Sequence, residues 1–171
     1  MKRLNLGCGR QIKKGFVNLD FIRGEGVDIV HDLNKFPYPF RDDEFDYVYA
    51  DNVLEHLADV PRAMMELHRI LKPSGILRVI VPHFTAAGAF HDPTHKNFFG
   101  SRTFDYFCGY SFYFDFSFKV VSKKIVFGKK FAVWNYLFEP LANIFPYAYE
   151  DTPLRVFPAQ SLDVTLRKGT G

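Results

Sequence analysis

Cysteine is scarce in this 171-residue chain. There are two, Cys8 and Cys108. Two cysteines so far apart form neither a disulfide framework nor a paired zinc motif, so a reducing, cytoplasmic setting is expected. Long apolar runs are also missing. Each is cut short by a charge or a proline, and no segment reads as a transmembrane helix. Met1 leads straight into Lys2, Arg3 and a strand-like segment, so no secretory leader is expected. Charge of one sign is lacking too. The net charge of +3 is too small to argue for nucleic acid as a partner. Internal repeats and low-complexity tracts are absent.

Apolar and aromatic residues are plentiful. Hydrophobic residues make up 47% of the chain, enough for one domain over residues 1–171 with a real core. Residues 1–83 are balanced, with 12 basic and 12 acidic side chains. Residues 84–149 hold 7 basic and 4 acidic residues, and 21 of the 30 aromatics. The domain therefore divides into an ordinary α/β half over 1–83 and an aromatic, mildly basic half over 84–171.

Short apolar runs at Arg3–Leu6, Phe16–Asp20, Val27–Val30, Phe45–Ala50 and Ile76–Val81 read as strands. Runs apolar on both faces suit a parallel sheet covered by helices on both sides. Asn52–His56 reads as the start of a short helix. Asp59–Lys72 is the clearest helix: Val60, Ala63, Met64, Leu67, Ile70 and Leu71 share one face. Asp59 is placed as its N-cap and Pro61 lies in its first turn. Pro73 and Gly75 are expected to stop it. In the second half, Phe112, Phe114, Phe116 and Phe118 alternate with polar residues, as in a strand. A phase change predicts a bulge near Ser122–Lys124. Phe131–Tyr149 reads as a helical insertion broken by Pro140 and Pro146. "SLDVTLRK" is a last strand, giving an antiparallel pair at a sheet edge.

The run "LNLGCGRQIKKGFVNLD" (residues 4–20) places a glycine turn after one strand and a carboxylate at the end of the next. Open parallel sheets bind ligands beyond the carboxyl ends of their strands. Asp20, Asp32, Asp51 and Asn52 all fall at such ends. A dinucleotide fingerprint needs a third glycine, but Gly7-Cys8-Gly9 is followed by Arg10-Gln11-Ile12. The phosphate-loop lysine and hydroxyl are missing as well. The turn therefore suits a ligand without a pyrophosphate.

"LNLGCG", "VNLD", "VDIVHDL" with "FDYVYADNVLEHL", and "MMELHRILKPSGILRVIVP" together resemble the class I, Rossmann-like S-adenosylmethionine (SAM)-dependent methyltransferases. The nearest likeness is to small variants with a shortened first crossover. The resemblance implies a mostly parallel methyltransferase sheet with an antiparallel edge pair. It implies SAM as cofactor, with Gly7, Cys8 and Gly9 at the methionine part and the Cys8 thiol incidental. Asp20 would take the ribose hydroxyls, and Phe21 would pack on adenine. Asp32 and the Leu33 amide would meet the adenine edge. Asn52 would close over the methionine, with His56 ordering that segment. Only about ten residues separate Gly9 from Asp20, fewer than a helical crossover needs. The first helix must be very short or absent, and the site's cover must come from elsewhere.

"HFTAAGAFHDPTHKNFF" follows the fifth strand and can reach the crevice. His91 and His95 have i,i+4 spacing, but Pro93 between them argues against a regular helix, and no metal is expected. The loop either positions a methyl acceptor, with a histidine as general base, or merely holds its own turn. His91, His95 and Asp92 are the candidate catalytic set. The aromatic half is core, an acceptor pocket or dimer surface, or a membrane-facing patch around Trp134 with Lys123, Lys124, Lys129 and Lys130. The expected function is methyl transfer to an oxygen or nitrogen nucleophile of a small molecule, glycan or lipid-linked intermediate. The rival is a non-catalytic module of the same fold that docks a partner or membrane.

Overall fold

The computed structural model describes residues 1–109, 113–128 and 133–169. Seven strands form one sheet: β1 (Arg3–Leu6), β2 (Val17–Asp20), β3 (Ile29–Val30), β4 (Phe45–Asp51), β5 (Leu71–Pro82), β6 (Phe118–Val126) and β7 (Ser161–Lys168). Their order is β3-β2-β1-β4-β5-β7-β6. The first five strands run parallel, and β7 lies antiparallel between β5 and β6. The mostly parallel sheet with an antiparallel edge pair is thus the one its patterning predicts. Strand order reverses between β1 and β4, which sets a crevice at their carboxyl ends.

Registry aligns Leu4, Val48, Leu77 and Leu166 on one face, and Leu6, Ala50, Val79 and Val164 beside them. All eight are buried. Helix α1 (Val60–Ile70) lays Val60, Ala63, Met64, Leu67 and Ile70 into the core with them. The opposite face carries Tyr47, Tyr49, Arg78, Asp163 and Thr165, all half-buried. There Arg78 donates to both oxygens of Asp163, at 3.0 and 2.6 Å.

Asp59 caps α1 as expected, its side chain accepting from the Arg62 N–H at 2.9 Å. Asp59→Ala should lower the unfolding free energy by about 1 kcal/mol, read from urea denaturation. A change below a few tenths would show that the cap carries no weight. The helix ends at Ile70, before Pro73 and Gly75. Leu71 is already extended and pairs with Phe45. Strand β5 therefore starts five residues before Ile76. Its register shift takes in Lys72–Gly75, with Ser74 at φ 63°.

The phenylalanine alternation does not make a strand over its whole length. Residues 113–117 are irregular, and β6 begins at Phe118. Residues 110–112 lie outside the described residues. The alternation instead builds a staircase of rings, Phe107–Phe114 at 5.1 Å and Phe114–Phe116 at 5.4 Å. Side-chain stacking, not strand pairing, fixes this segment. The bulge falls between Val120 and Ser122, at the start of the predicted stretch. Pro140 does not break the insertion. It sits inside α3 (Asn135–Ile144), while Pro146 opens α4 (Pro146–Asp151) as its first residue. Residues 131 and 132 of that insertion lie outside the described residues. Among the described residues no helix is long and apolar enough to cross a membrane.

Candidate functional site

The β1–β2 crossover has no helix. Two buried asparagines organise it instead. Asn5 Nδ2 donates to the Gln11 carbonyl (2.8 Å) and to Asn18 Oδ1 (2.9 Å), and Asn18 Oδ1 also accepts from the Lys13 N–H. Side-chain amides thus replace the ladder that a helix would have supplied. The Cys8 N–H bonds to the Leu19 carbonyl at 2.9 Å, which pins the turn to β2.

Gly7 and Gly9 both have positive φ, +61° and +50°. A side chain at Gly7 would place its Cβ 2.5 Å from Val53 Cγ2, whereas a Cβ at Gly9 would meet nothing within 4 Å. Gly7 therefore packs the turn on the segment after β4, and Gly9 leaves its backbone open to a ligand. Gly7→Ala should cost at least about 1–2 kcal/mol from its left-handed backbone alone. Val53→Ala should recover only the additional crowding. Denaturation of the two single variants and the double variant checks this.

Asp20 ends β2 and is buried. Its Oδ2 accepts from the Gly9 N–H at 2.7 Å and its Oδ1 from the Ile22 N–H at 3.0 Å. The carboxylate so joins the glycine turn to the next strand end. Each oxygen keeps a free lone pair for a ligand hydroxyl. Asp32 accepts from the N–H and side-chain amide of Asn34. The backbone hydrogen bond from Asn34 holds its carboxyl below the usual range. Asn52 has φ +53°, with its N–H on the Ile80 carbonyl.

A cavity of about 730 Å³ joins these groups. Gly7, Asp20, Phe21, Asp32, Leu33, Asn52 and His56 all line it. Cys8 and Gly9 stand beside it in the turn. The Cys8 thiol is buried, and burial pushes its pKa up. The wall is completed by Asn34, Val53, Leu57, Pro93, Thr94 and Lys96, which sequence reasoning did not single out. The stretch holding Thr94 follows β5 and reaches the crevice, as its place in the sequence predicts. The hydroxyl escaped notice because a threonine carries no pattern of its own.

The candidate catalytic set divides. His91 ends the short helix α2 (Gly88–His91) and is exposed, away from the cavity lining. Asp92 accepts from the Thr94 N–H (2.8 Å) and hydroxyl (2.7 Å). His95 packs on His56, with ring centroids 4.7 Å apart. His56 Nδ1 lies 2.9 Å from Thr94 Oγ1. Beneath them Glu55 is 1% exposed, and among the described residues neither carboxylate oxygen has a hydrogen-bond partner. Burial pushes its carboxyl up to about 7.

Residues 19–79 match the family model described as "Methyltransferase domain". The fold is that of the class I, Rossmann-like methyltransferases. A SAM-dependent methyltransferase from Archaeoglobus fulgidus superposes with a TM-score of 0.60 at 20% identity, covering 98% of this chain and 86% of that one. Among curated relatives, the chain is 33% identical over 73 residues to 2-phytyl-1,4-naphtoquinone methyltransferase of Nostoc sp. That match spans 43% of this chain and 27% of the relative. It is 33% identical over 121 residues to the uncharacterized protein MJ0638 of Methanocaldococcus jannaschii, spanning 66% of this chain and 53% of the relative. The chain thus spans about half the length of one curated relative and about a quarter of the other.

Proposed function

We propose that this chain transfers a methyl group from SAM to an oxygen or nitrogen nucleophile. The observation that carries this reading is Asp20. It is a buried strand-end carboxylate, tied to the Gly9 N–H and still able to accept, in one cavity with Asp32 and Asn52. Carboxylate lone pairs suit the ribose diol. The open backbone at Gly9 suits the amino-acid end, and Asp32 with Leu33 suits an adenine edge. No group in the turn is built for a pyrophosphate.

Bound SAM supplies an activated methyl on a sulfonium, whose sulfur keeps the bonding pair as the methyl leaves. The protein need only align the acceptor, exclude water and give its proton a path. Thr94 and Lys96 bring the 92–96 loop to the cavity wall, so this loop is the side from which an acceptor is held. His95 and Asp92 act there through their neighbours, His56 and Thr94. A small-molecule acceptor agrees with the quinone substrate in the name of one relative. The two free cysteines fit a cytoplasmic setting.

Calorimetric titration with S-adenosylhomocysteine and with NAD tests this. Micromolar binding of the first and none of the second is expected. Failure to bind S-adenosylhomocysteine would sink the reading.

A docking role has its own support. Trp134, Leu137, Leu141, Ile144 and Phe145 recur at helical spacing along α3, and each is about half exposed or more. Such a face suits a membrane surface or a second copy. Sedimentation with liposomes and light scattering of the free protein separate these two. A strictly monomeric protein that ignores liposomes would leave the α3 face with neither role.

A further inference from the structure

We propose that Glu55, His56 and His95 form a binding site for one divalent first-row transition ion at the edge of the cavity. One ligand atom from each lies within 4.8 Å of the others. An ion about 2.1 Å from each would draw them to about 3.4 Å apart. The ligand atoms would close by at most about 1.4 Å to reach that spacing.

The hydrogen bonds around the cluster leave three acceptors facing one another. His95 Nδ1 lies 3.0 Å from the Ala89 carbonyl. A carbonyl only accepts, so Nδ1 carries the proton and Nε2 of the neutral ring is a lone pair. Thr94 gives its hydroxyl proton to Asp92 Oδ1. Thr94 Oγ1 therefore accepts from His56 Nδ1–H, and His56 Nε2 is likewise a lone pair. The third acceptor is the carboxylate of Glu55, buried and without a partner among the described residues. Leaving such a group unpaired in the interior is costly. One proton can bridge two of these acceptors and still strands the third. A divalent cation satisfies all three.

The surroundings are built as metal sites are built. Ligating imidazoles are oriented by their other nitrogen, through a carbonyl or a carboxylate relay. Here Ala89 serves His95, and Thr94 with Asp92 serves His56. The two segments that carry the ligands are stitched together. The Glu55 carbonyl accepts the N–H groups of Lys96 (2.7 Å) and Asn97 (3.2 Å), and Asn97 Nδ2 donates to the Leu57 carbonyl (2.7 Å). Asp92 Oδ2 stands 3.9 Å from His95 Nε2 and adds negative charge. Two imidazoles and one carboxylate suit zinc, iron, manganese or cobalt, and three protein ligands leave a coordination position open. His56 is both ligand and cavity wall, so the ion borders the cavity. On the methyl-transfer reading, the open position would take and acidify an acceptor hydroxyl. The ligands come from the segments after β4 and after β5, so no sequence spacing could reveal them.

The test starts with protein purified without chelator. Elemental analysis should find about one transition ion per chain. Apo protein titrated with zinc chloride should show one site. Glu55→Gln and His95→Ala should each weaken it at least tenfold, while His91→Ala should not. Cobalt chloride added to apo wild type should give visible ligand-field bands that excess zinc removes. Absence of zinc and cobalt binding by the wild type, or undiminished binding in either ligand variant, overturns the proposal. Circular dichroism of each variant separates misfolding from ligand loss, and the wild-type spectrum stands independently of the variants. S-adenosylhomocysteine titration is read in parallel. Zinc binding without it leaves the metal site standing and removes methyl transfer. The reverse removes the metal site alone.

Discussion

Glu150→Ala is expected to lower the unfolding free energy by about 3–5 kcal/mol, because it leaves three buried donors unsatisfied at about 1–3 kcal/mol apiece. Glu150 sits in α4, 6% exposed, and accepts from three donors. They are the Ser101 N–H at 2.6 Å, the Ser101 hydroxyl at 2.8 Å and His83 Nε2 at 2.9 Å. The Thr85 N–H donates to His83 Nδ1, which leaves the ring proton on Nε2 to face the carboxylate. Truncation strands three buried donors. At about 2–4 °C per kcal/mol for a chain of this size, thermal unfolding should shift by about 6–20 °C.

The same network sets a pH dependence. Burial pushes the Glu150 carboxyl up, but hydrogen bonds from His83 and Ser101 outweigh it and hold the folded value below the ordinary one. A depressed folded pKa means the stabilisation is complete above the ordinary carboxylate range. It is lost as pH falls through the folded value. Wild type should therefore lose stability in acid more steeply than Glu150→Gln, which has no proton to bind there. An alanine variant within about 1 kcal/mol of wild type, with a parallel acid profile, would show that the network carries little. The consequence reaches the cavity. Glu150 fixes His83 just past the end of β5, where the chain enters the loop that carries Thr94 and His95. A loosened anchor should weaken S-adenosylhomocysteine binding modestly even where the fold survives.

The strands that build the crevice were legible because each is a short, nearly continuous apolar run, with β1 running into Gly7 and β2 and β4 ending in Asp20 and Asp51. Parallel strands covered on at least one face leave that signature. Asp20, Asp32 and Asn52 could be placed for the same reason, since a strand end fixes where its next side chain points. The missing first helix was legible by counting, because ten residues cannot cross over helically. What replaces it was not. Asn5 and Asn18 are ordinary letters in "LNLG" and "VNLD" until the fold sets them side by side. The phenylalanine alternation misled over residues 113–117 because ring stacking and strand pairing both reward every second residue. Pro73 misled because β5 competes for Leu71 and wins before the proline is reached. Glu55, His56 and His95 show the limit most clearly. Their convergence depends on two loops meeting across the sheet's end, and no local period encodes that.

Asp20→Ala should weaken S-adenosylhomocysteine by about 10²–10⁴-fold, with little change in far-UV circular dichroism. The magnitude follows from its remaining lone pairs. Two hydroxyls of a ribose diol would each donate to a charged acceptor, and such bonds contribute about 1.5–3 kcal/mol apiece. Together that is about 3–6 kcal/mol, and each 1.4 kcal/mol is tenfold. The variant also releases the Gly9 and Ile22 N–H groups, so the glycine turn loses its side-chain tie to β2 and keeps the Cys8–Leu19 backbone bond. Asp20→Asn discriminates between the two contributions. Its amide oxygen can still hold one backbone N–H, but its NH₂ must oppose the other donor or the ribose. Asparagine should therefore recover less than a tenth of the lost affinity. Asp32→Ala should cost less than Asp20→Ala, because Asp32 is partly exposed and water replaces it readily. A reversed order, or Asp20→Ala binding within threefold of wild type, would mean that the carboxylate merely shapes the turn. The lean crossover makes this comparison sharp: with no first helix beside the turn, Asp20 is the side-chain contact that couples Gly9 to the neighbouring strand end.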